Sequence, residues 1–221
     1  MTAAAKIERM YVPQHFREER VEVMAELMRH YPLATLITAG DDGLIANHVP
    51  MLYDPEPAPF GTLRGHVARA NPQWRMERPE IGALAVFQGP QAYVSPSFYP
   101  SKQQHPEVVP TWNYAVVHAH GSVMIHDDAA WLRRMVTDLT EAQESAFAEP
   151  WHVTDAPDAY IDGLLKAIVG VELRIARLEG KWKASQNRAD VDRAGVVERL
   201  ASSETPGARE MGEIQRGRRG Y

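Results

Sequence analysis

The chain of 221 residues contains no cysteine. That absence removes disulfide scaffolds, zinc–thiolate sites, iron–sulfur clusters and a cysteine nucleophile together. It also lacks any apolar run of the roughly 20 residues needed to cross a bilayer. The opening Met1-Thr-Ala-Ala-Ala-Lys-Ile-Glu-Arg9 has no apolar core, so it does not read as a secretory signal. A cytoplasmic protein without membrane attachment is expected. Positive charge is in short supply: 24 Lys and Arg against 29 Asp and Glu give a formal net charge of −5. A general nucleic-acid binder needs a basic face for phosphates, and only Arg216-Gly-Arg-Arg219 is densely basic. That run reads as a solvated tail, and any DNA contact is confined to it. No Gly-x-Ser-x-Gly elbow, Gly-x-Gly-x-x-Gly or Walker loop occurs, so hydrolase and P-loop readings have no support.

What remains is an ordinary globular composition, 44% hydrophobic and 24% charged, long enough for one large domain or one with appendages. Val21, Met24, Leu27 and Met28 share one helical face within residues 19–30, and Pro32 stops that helix. Residues 33–38 and 44–53 read as strands joined by a turn at Gly40-Asp-Asp-Gly43. Pro50 cannot donate to a ladder, so its part of the strand is expected at an edge or a bulge. A third strand covers residues 62–68. Residues 82–88 and 91–95 read as a hairpin about Gly89-Pro90, and 113–126 as a long strand. Asp127 or Asp128 caps a helix carrying Trp131, Leu132, Met135, Val136 and Leu139. Asp155-Ala-Pro157 opens another, after which Val169, Val171, Leu173 and Ile175 alternate as a last strand. Beyond Asp190 the pattern is weakly helical, and residues 207–221 are expected to be mobile. Strands in the middle with segregated helices make an α+β barrel, not a doubly wound sheet.

Residues 93–121 mix hydrogen-bonding groups (Ser95, Ser97, Lys102, Thr111, Asn113) with flat ones (Tyr93, Phe98, Tyr99, Trp112, Tyr114). A planar ligand with a polar edge needs both, so the stretch points to a cofactor pocket. Asn71 and Pro72 open a helix after the third strand. Its amides, beside Arg69, form either a phosphate seat or an ordinary capped helix with a surface arginine. His66 and His48 are each either a polar ligand contact or a packed strand residue. His118 and His120 share a strand face, and two imidazoles can hold a metal. No third ligand is visible at useful spacing, and no metal site is expected. Lys181 to Arg188 carries consecutive polar groups at a strand end, suited to a ligand rim, a subunit boundary or plain solvation.

Seven segments stand in a recognisable order: Met10-Tyr-Val-Pro-Gln-His-Phe16, Asn47-His-Val-Pro-Met-Leu52, Gly65-His-Val-Ala-Arg-Ala-Asn-Pro72, Val86-Phe-Gln-Gly-Pro-Gln-Ala-Tyr-Val-Ser-Pro96, Val109-Pro-Thr-Trp-Asn-Tyr114, Ala156-Pro-Asp-Ala-Tyr-Ile161 and Lys181-Trp-Lys-Ala-Ser-Gln-Asn-Arg188. Together they resemble the PaiB family of FMN-binding negative transcriptional regulators, over almost the whole chain. The resemblance implies a mostly antiparallel split β-barrel of the flavin-reductase and pyridoxamine-phosphate-oxidase type with flanking helices. That barrel would span residues 1–189, with a helical extension and tail over 190–221. It implies a homodimer with FMN at the subunit boundary. By the same resemblance His66, Arg69 and Asn71 would hold the phosphate end, and Thr111, Trp112 and Asn113 would line the ring. Gln186, Asn187 and Arg188 would reach it from the partner subunit, and His48 and Lys183 complete the set. The family name implies repression of sporulation or degradative-enzyme genes, although no helix-turn-helix pattern is present. Relatives also include haem-dependent enzymes that join two nitrogens in piperazate formation. On that alternative the cofactor is haem b and His66 its axial ligand.

Overall fold

A computed structural model describes residues 9–217. It contains strands β1 (Arg17–Glu18), β2 (Leu33–Gly40), β3 (Gly43–Asp54), β4 (Thr62–Ala68), β5 (Ala83–Val94), β6 (Thr111–His126) and β7 (Ile168–Lys183). The helices are α1 (Val21–His30), α2 (Ala129–Glu144), α3 (Asp158–Leu165), α4 (Asp190–Ala201) and α5 (Pro206–Gln215). The strands run in the order β1-β7-β4-β3-β2-β5-β6, and β6 pairs with β7 as well. That last pairing closes six strands into a ring. The pairings of β2 with β3 and β5, and of β4 with β3 and β7, are antiparallel. This is the α+β split barrel with flanking helices that the sequence predicts. Among the described residues no helix is long and apolar enough to cross a membrane. Residues 1–8, on which the reading of the N-terminus rests, and Arg218 and Arg219 of the basic run lie outside the described residues.

Local chemistry explains the first hairpin. Gly40 pairs with Gly43 across the turn, and Gly43 has φ +132°, which favours glycine. Pro50 sits where β3 changes partner: residues 43–50 pair with β2, and 51–54 with β4. Met51 N–H donates to Pro32 O at 2.8 Å, so alternation turns the Pro50 nitrogen to the side where pairing has not yet begun. The expected edge is there, confined to half of a strand.

Two expectations fail. Gly89-Pro90 is not a turn, because β5 runs through it without a break. The buried side of β5 is odd-numbered from Ala83 to Gly89 and even-numbered from Pro90 to Val94, the change of phase that an extra residue in a strand produces. Gly89 is small because a Cβ there would lie 2.9 Å from Leu27 and 3.3 Å from the Ala115 carbonyl. Residues 207–215, part of the stretch expected to be mobile, belong to α5, with Met211 and Ile214 buried. The apolar stripe is narrow, which hides it in the sequence, but a Cβ on Gly212 would stand 3.1 Å from Leu200 of α4.

The chain divides into two compact units. The first holds residues 32–86 and 119–178. Its sheet buries Leu36, Val49, Met51, Leu63, Val171 and Leu173. A further cluster, Leu132, Met135, Val153, Ile161 and Leu165, lies beneath α2 and α3. Asp128, not Asp127, caps α2, accepting from Trp131 N at 2.8 Å. The second unit holds residues 9–31, 87–118 and 179–217 and buries Leu27, Met28, Phe87, Val117, Val196 and Met211.

Candidate functional site

The expected site residues fall in both units. In the first, alternation along β4 buries Leu63, Gly65 and Val67 on one face and leaves Arg64 and His66 half-buried on the other. His66 Nδ1 is buried and has no hydrogen-bond partner among the described residues. Burial pushes its pKa below the usual imidazole range, so the ring is neutral at pH 7. His48 is exposed on β3, opposite Thr35.

Arg69 is a strut in this structure. Its Nη1 donates to Asp127 Oδ2 at 2.9 Å and its Nη2 to the other Asp127 oxygen. Nε donates to the Lys166 carbonyl at 2.8 Å, and Nη2 also to the Ile168 carbonyl at 3.0 Å. The paired charges raise the Arg69 pKa and lower that of Asp127. Asn71 is equally committed, its Oδ1 accepting from Gln73 N at 3.0 Å. In place of the expected helix, Asn71 opens a 3-10 turn of four residues, Pro72–Arg75, ending at Met76 with φ +49°. So short a turn accumulates little dipole. Gln73 was not anticipated. It is 2% exposed, accepts from Asn47 Nδ2 at 2.9 Å, and donates from Nε2 to the Leu36 carbonyl at 3.0 Å and Thr38 Oγ1 at 3.2 Å. No spacing rule marks a glutamine for that task.

In the second unit three expected residues come together. Lys183 Nζ donates to Thr111 Oγ1 at 2.5 Å and to the Trp112 carbonyl. Trp112 is 52% exposed and meets Tyr93 edge-on at 5.9 Å. Burial, then repulsion from Lys181 and Arg188, holds the Lys183 pKa below the usual amine range. A half-exposed indole thus sits on the strand end whose backbone and neighbouring hydroxyl hold the Lys183 ammonium. Asn113 is fully buried and bonds Ser185 Oγ at 2.9 Å, so it braces the strand ends. Gln186 folds back on its own loop, accepting from Ala184 N at 2.7 Å and donating to the Trp182 carbonyl at 2.5 Å. Arg188 stacks over Tyr99 at 4.9 Å, and Asn187 is exposed. Glu179, which sequence spacing did not connect to His118, brings a carboxylate oxygen within 4.8 Å of that imidazole.

Four known families or proteins are similar to this chain. The family model described as "Putative FMN-binding domain" matches residues 10–177. A Bacillus subtilis protein named protease synthase and sporulation protein PAI 2 is 32% identical over 206 residues, covering 93% of this chain and 96% of that one. An uncharacterised Aspergillus fumigatus protein is 35% identical over 235 residues, covering 86% and 90%. Among solved structures, the flavocytochrome Anf3 of Azotobacter vinelandii superposes with a TM-score of 0.57 at 12% identity, covering 83% of this chain and 78% of that one. At that identity the likeness is one of fold.

Proposed function

We propose, from the premise that the chain belongs to the PaiB family of FMN-binding split-barrel proteins, that it binds FMN against Trp112, Thr111 and Lys183 and acts as a flavin-dependent regulator. One observation carries this reading: the Lys183 ammonium bonds both the Thr111 hydroxyl and the backbone carbonyl of Trp112, whose indole is half-exposed. Such a group of residues suits a flat ring with a polar edge. Trp112 offers the face, while Thr111 and Lys183 offer donors to the rim. A bound flavin supplies the electron-transfer chemistry, and the chain supplies binding and a nearby positive charge. Arg69 and Asn71 act on this reading as framework, since both are bonded internally.

On the same reading the flavin lies at the boundary of a homodimer. Tyr11 and Val109 in the same unit are 82% and 66% exposed, and apolar side chains left this open fit an interface. The regulatory part takes its support from the Bacillus subtilis relative, which is named for protease synthesis and sporulation. A net charge of −5 sets this reading against direct DNA contact, and a salt-dependent shift of promoter DNA would reverse that part.

The test is a titration of FMN followed by flavin fluorescence. Trp112→Ala and Lys183→Met should each weaken binding at least about tenfold, or about 1.4 kcal/mol. Unchanged affinity in both variants defeats the assignment. A second reading, haem b, rests on His66: burial favours its neutral imidazole, the form that ligates iron. A Soret band in the purified protein that His66→Ala abolishes would replace FMN with haem.

A further inference from the structure

The second unit contains a cavity of about 260 Å³ lined by Arg17, Glu18, Arg20, Trp182 and Arg193, among others. Most of its wall comes from residues 182–217, beyond the 10–177 matched by the family model. We infer that this cavity binds the phosphate group of a phosphate monoester.

Charge is the first argument. Three arginines against one carboxylate leave two net positive charges on the lining, and a phosphate monoester carries about −1.5 to −2 at pH 7. The carboxylate does not repel an incoming anion freely, because Arg20 holds Glu18 through two bonds of 2.8 and 2.6 Å. Arg17 and Arg193 are held loosely. Arg17 meets Glu19 at 3.5 Å, and Arg193 meets Asp190, which is 96% exposed. Exposed pairs of this kind are weak and give way to a better anion. Arg69 presents the contrary case, with two carboxylate oxygens and two carbonyls already around it.

Framework and size agree. Gln215 Nε2 donates to the Arg193 carbonyl at 3.1 Å, fixing the backbone from which that arginine projects. Trp182 is 6% exposed and closes one side of the cavity with a packed indole. Pockets that bury a whole drug-sized ligand run to about 300–1,000 Å³. A cavity of about 260 Å³ therefore suits one charged group of a ligand, with the remainder outside.

The test uses the full-length protein with inorganic phosphate as the probe and chloride at matched ionic strength as the control. Phosphate should raise the melting temperature in a saturable way. In Arg17→Gln/Arg193→Gln the half-saturating concentration should rise at least tenfold. Both side chains are about half exposed, so the double variant should keep the wild-type circular dichroism. If it does not fold, Arg193→Lys serves instead, and it should weaken the phosphate response because an ammonium cannot make the guanidinium's forked contact. No phosphate-specific effect in the wild type, or a variant that responds as the wild type does, overturns the inference. If saturating FMN abolishes the response, the cavity seats the flavin's own phosphate; if the response persists, it seats a separate phosphate ester. Both results uphold the site. A protein that answers to phosphate through these arginines yet binds no flavin would remove the function proposed above and leave this site standing.

Discussion

Replacing Gln73 by methionine tests how the first unit is held together. Methionine keeps the length and volume of the side chain and removes its carbonyl and amide groups. The buried Leu36 carbonyl and Thr38 hydroxyl lose a donor at 3.0 and 3.2 Å, and Asn47 Nδ2 loses its acceptor at 2.9 Å. Asn47 is half-buried and can turn to water. Leu36 and Thr38 are 2% and 3% exposed, so their polar groups cannot. A buried polar group left unsatisfied costs about 1–3 kcal/mol, so two cost about 2–6 kcal/mol. Against a typical total stability of about 5–15 kcal/mol, that is a large fraction. With a urea m-value of about 2 kcal/mol/M, the unfolding midpoint read by far-UV circular dichroism should fall by about 1–3 M. A fall of under about 0.3 M would refute the claim that this amide ties β2 and β3 to the turn after β4.

His66 should make stability depend on pH. Its folded pKa lies below the ordinary value of about 6.5, so the unfolded chain binds the proton first. Its contribution is present above about pH 6.5 and is lost as pH falls through the folded pKa. The wild-type melting temperature should decline through that window, and His66→Gln should flatten the decline. Gly121→Ala would set a Cβ 1.9 Å from the Arg174 carbonyl, a backbone atom, and should cost at least about 3 kcal/mol in chemical denaturation. Gly170→Ala meets side-chain atoms only, the Trp131 ring at 2.3 Å and the His126 Cβ at 3.1 Å, which can shift, so the same measurement should show a smaller loss of about 1–3 kcal/mol. Asp128→Ala removes the cap of α2 and should lower stability by about 1 kcal/mol.

Much of the fold is legible because it is locally encoded. The Gly40–Gly43 turn, the cap at Asp128 and the alternation from Val169 to Ile175 each depend on neighbours a few residues away. The strand through Gly89-Pro90 is misread because turn chemistry and a phase change within a strand look alike until Leu27 and Ala115 are seen against that glycine. The candidate site is legible in part. Thr111, Trp112 and Lys183 do assemble, whereas Asn113 and Gln186 are bonded within the protein. Glu179 beside His118 had no signal in spacing at all.

Residue type and order determine the architecture of this protein: a chain without cysteine, with alternating strands, placed turns and seven ordered segments, folds as a split barrel of a flavin-binding family. Tertiary structure alone decides which polar groups remain available to a ligand. Arg69 reads as a phosphate-seat or surface arginine until Asp127, 58 positions away, closes on it, and only the fold sets Arg17 and Arg193 around one cavity. Periodicity and capping act over a few residues, and hydrogen bonds act over about 3 Å of space wherever the partners lie in the chain.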